Sequence, residues 1–230
     1  MGRYSVPHDP LVIQDSMIYY QDDHITLYHG DCREIAPTLG VFDLLLTDPP
    51  YGIKRDKGNA TSKGAGFYAE NIRKQYHDCW DHERPEADTL RLCLGAANKH
   101  IIWGGNYFSD ILDQRSKWLV WDKMQTMPTF SDAELAWTSL DGVAVKMLRY
   151  SGNGLLATEK DRVHPTQKPL ELMKWCIGFA KEAKTIIDPF AGSGTTGRAA
   201  KDLGLKCTLI EREERYCEIA AKRMAQEVLF

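Results

Sequence analysis

Asp48-Pro49-Pro50-Tyr51 directly follows Phe42-Asp43-Leu44-Leu45-Leu46-Thr47, an apolar run with the length and composition of a buried strand. Two prolines fix φ twice and remove two backbone donors, so the segment leaving the strand is stiff and its carbonyls are free to accept. A carboxylate (Asp48), free carbonyls beside it and an aromatic face (Tyr51) suit a planar ring that carries an amino group, the amine hydrogen-bonded and the ring stacked. A nucleobase is such a ring. The competing reading is an ordinary acid at a strand end, which leaves Pro49, Pro50 and Tyr51 unexplained.

The second segment with chemical content is Thr185-Ile186-Ile187-Asp188-Pro189-Phe190-Ala191-Gly192-Ser193-Gly194-Thr195-Thr196-Gly197, an apolar strand running into a glycine-rich turn and a helix. Gly192, Gly194 and Gly197 match G-x-G-x-x-G, a spacing that lets backbone approach a nucleotide closely. Glu211 ends the apolar Cys207-Thr208-Leu209-Ile210, nineteen positions after Gly192, where an acid can hold ribose hydroxyls. By itself this pattern indicates a dinucleotide, as in a nicotinamide-dependent oxidoreductase. Yet Arg198 to Phe230 holds only one more strand and a helix, so the downstream half of a dinucleotide fold is missing. No Gly-Lys-Ser/Thr follows the glycines, which excludes a P-loop.

With these segments in view, the chain resembles the β class of DNA amino-methyltransferases that use S-adenosylmethionine. Asp48-Pro49-Pro50-Tyr51 resembles the family's catalytic motif, and Phe190-Ala191-Gly192-Ser193-Gly194 resembles its methionine-binding turn. His164-Pro165-Thr166-Gln167-Lys168-Pro169 is similar to the segment that closes over the cofactor from the other side, and Gly30-Asp31 to the acid that holds the adenine amine of the cofactor. The catalytic motif precedes the cofactor turn, which is the circularly permuted arrangement of that class. The resemblance spans residues 17 to 230. It implies an α/β fold, a circularly permuted Rossmann-like class I methyltransferase sheet, mostly parallel, with helices on both faces.

The cofactor set that follows from the resemblance is Asp188, Phe190, Ala191, Gly192, Ser193, Gly194 and Thr195 about the methionine part, Glu211 on the ribose and Asp31 on the adenine amine, with Lys168 and His164 nearby. In the reaction it implies, Asp48 and the Pro49 or Pro50 carbonyl accept the two amino protons, localise the lone pair and direct it at the sulfonium methyl. No covalent intermediate is needed. A base inside a duplex cannot reach such a pocket, so it must be flipped out, with Tyr51 replacing the lost stacking. An initial Asp in this motif goes mostly with adenine, which favours N6 of adenine over N4 of cytosine. A catalytically silent DNA-binding protein on the same fold is the other class of reading.

The partner is then double-stranded DNA, and the contacts come from the segment after Tyr51. Lys54, Arg55, Lys57, Lys63, Arg73 and Lys74 lie there with Gly58, Gly64 and Gly66, against Asp56 and Glu70. Residues 52–80 thus read as a mobile basic loop insertion that emerges beside the reactive base and holds phosphates on both flanks of it. Residues 110–131, in the pieces Asp110 to Ser116 and Lys123 to Ser131, are a candidate target-recognition segment.

The elements that position these residues follow from periodicity. Met17 to Tyr20 and Ile25 to His29 read as a hairpin about Asp22-Asp23, and Arg33 to Leu39 as a helix leading to the Phe42 strand. Arg91 to Asn98 reads as a helix; His100 to Trp103, Trp118 to Trp121 and Glu134 to Thr138 read as strands, followed by Val143 to Tyr150. Pro169 opens a helix carrying Leu170, Met173, Ile177 and Ala180 at helical spacing. Trp103, Trp118, Trp121 and Trp137 fall in strands or at their ends and read as packing.

Composition only bounds the answer. The 230 residues, 43% hydrophobic and 27% charged, suit one domain over 1–230. A net charge of −3 gives no global sign of nucleic-acid binding, so the DNA reading rests on local clustering. No run of eighteen apolar residues and no signal-like start point to a cytoplasmic protein without a membrane segment. Cys32, Cys79, Cys93, Cys176, Cys207 and Cys217 lack Cys-x-x-Cys spacing and read as reduced core thiols. His77, Cys79 and His82 could in principle touch a metal, but such irregular spacing is more often chance. A homodimer is compatible with all of this.

Overall fold

The apolar strand Phe42 to Thr47 lies near the middle of the nine-stranded sheet that the described residues form in the computed structural model. The structure describes residues 17–53, 83–125, 131–151 and 167–227. Lys54, Arg55, Lys57 and Lys63 with the rest of the basic segment through residue 82, residues 126–130, and His164 lie outside the described residues.

In chain order the strands are β1 (Ile18–Gln21), β2 (Ile25–His29), β3 (Phe42–Thr47), β4 (Ala97–Trp103), β5 (Trp118–Asp122), β6 (Ala133–Thr138), β7 (Lys146–Arg149), β8 (Thr185–Asp188) and β9 (Lys206–Glu211). Their order across the sheet is β1-β2-β9-β8-β3-β4-β6-β5-β7. The run β2-β9-β8-β3-β4 is parallel throughout, while β1 pairs antiparallel with β2, and β6 antiparallel with both β4 and β5. The hairpin turns at Asp22, whose Oδ1 accepts from the N–H groups of His24 and Ile25 at 2.8 and 2.7 Å.

Helices cover both faces. On one side α3 (Leu170–Ile177), α4 (Thr195–Asp202) and α5 (Glu214–Met224) pack through Leu172, Cys176, Ala199, Ala200, Cys217 and Ala220 onto Leu44, Leu46, Ile101, Ile186 and Leu209. On the other, α1 (Cys32–Ile35) and α2 (Ala87–Gly95) pack through Ile35, Leu90 and Cys93 onto Leu45, Ile102, Ile187 and Ile210. Adjacent residues of each central strand therefore serve opposite layers, as the two-residue period of a strand requires.

The stretch expected over Val143 to Tyr150 forms a strand only over Lys146–Arg149, and the helix opened by Pro169 ends at Ile177, before Ala180. Two further boundaries differ from expectation. The helix expected over Arg33–Leu39 is one α turn continued by a 3-10 turn over Ala36–Thr38, because Pro37 has no N–H to give to the Arg33 carbonyl. The helix expected over Arg91–Asn98 runs from Ala87 to Gly95, and Ala97 and Asn98 already belong to β4. Pairing with β3 from Phe42 and Ala97 onward carries Ile101 and Ile102 to full burial on opposite faces. Each contributes roughly 1.5–3 kcal/mol, more than the fraction of a kcal/mol that helix propensity offers per residue.

The two strands that carry the chemical motifs are neighbours. β3 pairs with β8, Leu44 opposite Ile186 and Leu45 opposite Ile187. At their amino ends Asp43 Oδ2 accepts from the N–H groups of Lys184 and Thr185 and from Thr185 Oγ1, each at 2.9 Å. From β8 the chain winds to β9 on one side, and from β3 to β4 on the other. The reversal leaves a crevice outside the carboxyl ends of this pair, where open α/β sheets bind ligands.

Candidate active site

At that crevice Thr47 Oγ1 donates to Asp188 Oδ1 at 2.7 Å. Thr47 directly precedes the Asp48 tetrapeptide and Asp188 opens the glycine turn, so one buried hydrogen bond brings together motifs 141 residues apart. Asp188 Oδ2 accepts from Thr196 Oγ1 at 2.6 Å, and Oδ1 also from the N–H of Phe190 at 3.1 Å. Burial pushes its carboxyl up to about 6 against the pull of these donors. Both oxygens are occupied within the protein, and the side chain braces the turn.

The three glycines of the turn have different tasks. Gly192, at φ +51°, faces open space, with nothing within 4 Å of where a Cβ would sit. Gly194, at φ +77°, caps α4 against Ala220, and a Cβ on Gly197 would fall 2.6 Å from Leu209 Cδ1. Close approach to a ligand is therefore a property of Gly192, and close helix–strand packing one of Gly197. Ala191 and Ser193 are buried beside Gly192, Phe190 packs on the second core layer, and Thr195 Oγ1 accepts from Arg223 at 3.0 Å.

Glu211 reaches back to the same turn. Its Oε2 accepts from the N–H of Gly192 and its Oε1 from that of Glu213, both at 2.8 Å. Burial raises its carboxyl despite these donors. The Gly30 N–H donates to the Glu211 carbonyl at 2.9 Å, which sets Asp31 beside it at the end of β2. Asp31 caps α1 and pairs with Arg33 at 2.6 Å, and Arg33 holds its carboxyl below the usual range. An open glycine flanked by a helix N-terminus, with two acids farther along the strand ends, fits the expected cofactor.

The segment Gln167-Lys168 spans both motifs. Gln167 Oε1 accepts from Ser193 Oγ of the cofactor turn at 3.1 Å, while Lys168 Nζ donates to Asp48 Oδ2 at 2.6 Å. Lys168, expected with the cofactor, thus lies on the Asp48 side. Tyr51 donates to Asp48 Oδ1 at 2.5 Å and stacks on Tyr107, ring centroids 4.8 Å apart. Burial raises the Asp48 carboxyl, Lys168 pulling the other way.

Two residues of this cluster, Glu134 and Tyr107, are not singled out by the sequence. Lys168 Nζ also lies 3.0 Å from Glu134 Oε2, and Glu134 Oε1 accepts from Lys123 Nζ. The one signal was Glu134 itself, an acid inside the otherwise apolar Ala133 to Trp137. Lys123 opens a stretch expected to read the target, yet it points inward, its Nζ 5.0 Å from the Trp121 ring centroid. The tryptophans expected to pack do so: Trp103, Trp121 and Trp137 are buried and Trp118 is half-buried. Among the described residues Cys32, Cys93, Cys176, Cys207 and Cys217 are free, buried thiols.

A profile of the DNA methylase family N6_N4_Mtase matches residues 143–222. The chain is 50% identical over 252 residues to the type II methyltransferase M2.LlaDCHI of Lactococcus lactis subsp. cremoris, covering 90% of this chain and 91% of that protein. In fold it is similar to the cytosine-N4-specific PvuII DNA methyltransferase, with a TM-score of 0.63 at 14% identity over 93% of this chain and 91% of that one. It is also similar to M1.HpyAVI, solved as its S-adenosylmethionine complex, with a TM-score of 0.53 at 22% identity over 87% and 99% of the two chains. Identity of one residue in two along nearly the whole of M2.LlaDCHI is decisive: the chain belongs to the S-adenosylmethionine-dependent DNA amino-methyltransferases.

Proposed function

We propose that this chain methylates N6 of adenine in double-stranded DNA, on a base turned out of the helix, and that Asp48 is the acceptor of the target amine. The observation that carries the reading is the Thr47–Asp188 hydrogen bond, which sets the carboxylate and the glycine turn side by side at the switch point of the sheet. Membership of the family removes the nicotinamide alternative.

Residues Phe190 to Thr195 would hold the methionine part of the cofactor, Glu211 the ribose and Asp31 the adenine amine. When bound, the cofactor supplies an electrophilic methyl on a sulfonium. The chain's own work is on the amine. Asp48, with the carbonyl of Pro49 or Pro50, accepts its protons, concentrates the lone pair on nitrogen and takes up the proton released on methylation. The two donors now on Asp48 are Tyr51 and Lys168, and Tyr51 is the one that must let go, its ring exchanging the stack on Tyr107 for one on the base.

Lys54, Arg55, Lys57 and Lys63 would bind phosphates next to the target, and residues 110–131 would contribute to reading it. The adenine assignment rests on the initial Asp of the motif. Sequencing plasmid DNA modified by the purified protein, with per-base detection of methylation, tests target base and activity together. N4-methylcytosine would overturn the adenine assignment, and unmodified DNA would favour a silent DNA-binding protein. Among the described residues no helix is long and apolar enough to cross a membrane. The cytoplasm, where DNA is accessible, is the compartment this reading assigns.

A further inference from the structure

We infer that Glu134, braced by Lys123, is a positioning residue for methyl transfer: it shares the Lys168 ammonium with Asp48 and so keeps the Asp48 carboxylate available to the target amine. The inference rests on the reading of Asp48 given above.

Four charges alternate in sign along one line into the sheet. Asp48 Oδ2 is 2.6 Å from Lys168 Nζ, Lys168 Nζ is 3.0 Å from Glu134 Oε2, and Glu134 Oε1 is bound to Lys123 Nζ. Asp48 is the most exposed of the four, its side chain 22% accessible against 14% for Glu134, 7% for Lys123 and 5% for Lys168. The end most open to the crevice is Asp48. Both lysines are almost fully buried, and a largely buried set of ion pairs is a poor means of stabilising a fold, since apolar residues of similar volume serve as well. Its use must lie at its open end.

That use follows from who competes for the lysine. Lys168 faces Asp48 and Tyr51 beyond β3, Glu134 on β6 and Trp103 on β4; Cys176 lies near it on α3, Lys123 behind Glu134, and Asp188 behind Asp48. Facing Asp48 alone, the ammonium would pair fully with it and lower its basicity. Glu134 draws part of that charge away and adds a like charge of its own. Burial opposes the ionisation of Glu134, but Lys168 and Lys123 hold its carboxyl at about 2, so it stays charged over the working range.

The test uses the intact chain with unmethylated plasmid DNA and compares Glu134→Gln, Glu134→Asp and the parent protein by single-turnover methylation across pH, with calorimetric titration of S-adenosylmethionine. Glu134→Gln should bind cofactor as the parent does and transfer methyl about tenfold more slowly. Loss of the like charge lowers the Asp48 carboxyl, so the acid limb of the rate profile should move down by roughly one pH unit. Glu134→Asp should restore most of its position. A folded Glu134→Gln with the parent's rate and profile overturns the inference, as does a slower variant whose acid limb has not moved. Should Glu134→Gln not fold, Lys123→Met combined with Glu134→Gln removes one charge of each sign and is judged by the same limb. Activity retained in Asp48→Ala would sink the reading of the site itself, whereas an inactive Asp48→Ala beside an unaltered Glu134→Gln sinks only the role of Glu134.

Discussion

Gly104 lies beneath the ring of Tyr51: a Cβ built on Gly104 would fall 2.1 Å from Tyr51 Cε1. Gly104 directly follows β4 at φ +68°, and the ring over it is stacked on its other partner, Tyr107. Gly104→Ala should therefore strain the left-handed backbone by at least about 1 kcal/mol and displace Tyr51. We expect a lower melting temperature and methyl transfer reduced about tenfold, with cofactor affinity close to that of the parent. Unaltered kinetics would mean that Tyr51 does not need its present seat.

Asp48→Ala should abolish methyl transfer while leaving cofactor titration nearly unaltered, because Asp48 contacts Tyr51 and Lys168 and none of the turn residues. Loss of an acceptor poised for the transition state should reduce turnover by roughly 10²-fold or more. Activity within a few-fold of the parent contradicts the assignment.

The glycines offer a paired comparison. Gly192→Val puts a branched side chain into open space at positive φ and should weaken cofactor binding in a folded protein. Gly197→Val drives its side chain into Leu209 and should unfold or aggregate the chain before binding can be measured. Glu211→Ala removes the acceptor of the Gly192 and Glu213 N–H groups and should also weaken binding. If neither Gly192→Val nor Glu211→Ala changes the dissociation constant, the cofactor lies elsewhere.

Asp188 gives a stability signature opposite to that of an ordinary paired carboxylate. Its carboxyl titrates at about 6 in the folded protein and near ~3.9 in an unfolded chain. Between these values the native state holds a proton that the unfolded state has released. Its contribution is thus complete below about pH 4 and is lost as pH rises through 6, by up to about 3 kcal/mol. In Asp188→Asn that slope should vanish, the amide still serving Thr47, Thr196 and Phe190. Denaturant unfolding at several pH values between 4 and 7 checks this; a constant difference between the two proteins refutes it.

Replacing Lys54, Arg55 and Lys57 by Ala should weaken binding to all DNA sequences alike, each lost phosphate contact lowering the salt slope by about one. Binding measured over a salt series decides the matter. An altered recognition sequence with the slope retained would instead make this segment the reader.

Local pattern was enough for much of the molecule. The apolar run of β3 before a rigid Asp-Pro-Pro-Tyr, the glycine turn after β8, the acid at the end of β9 and the reversed order of the two motifs are all contiguous in sequence, so strand period, proline chemistry and glycine spacing reveal them without a fold. What only the tertiary structure decided involves residues that meet across the sheet. Lys168 turned out to pair with Asp48, 120 positions earlier, while its neighbour Gln167 reached Ser193, because successive residues of an extended segment point to opposite sides. Glu134 and Lys123 joined the site through the antiparallel pairing of β5 and β6, and Asp188 became a brace once β8 lay beside β3. Even the end of α2 at Gly95 was decided by pairing, since the sheet claims Ala97 and Asn98 to bury Ile101 and Ile102. Charges and hydrogen bonds between distant strands leave no period in the sequence; they exist only after burial of the apolar faces has set the register.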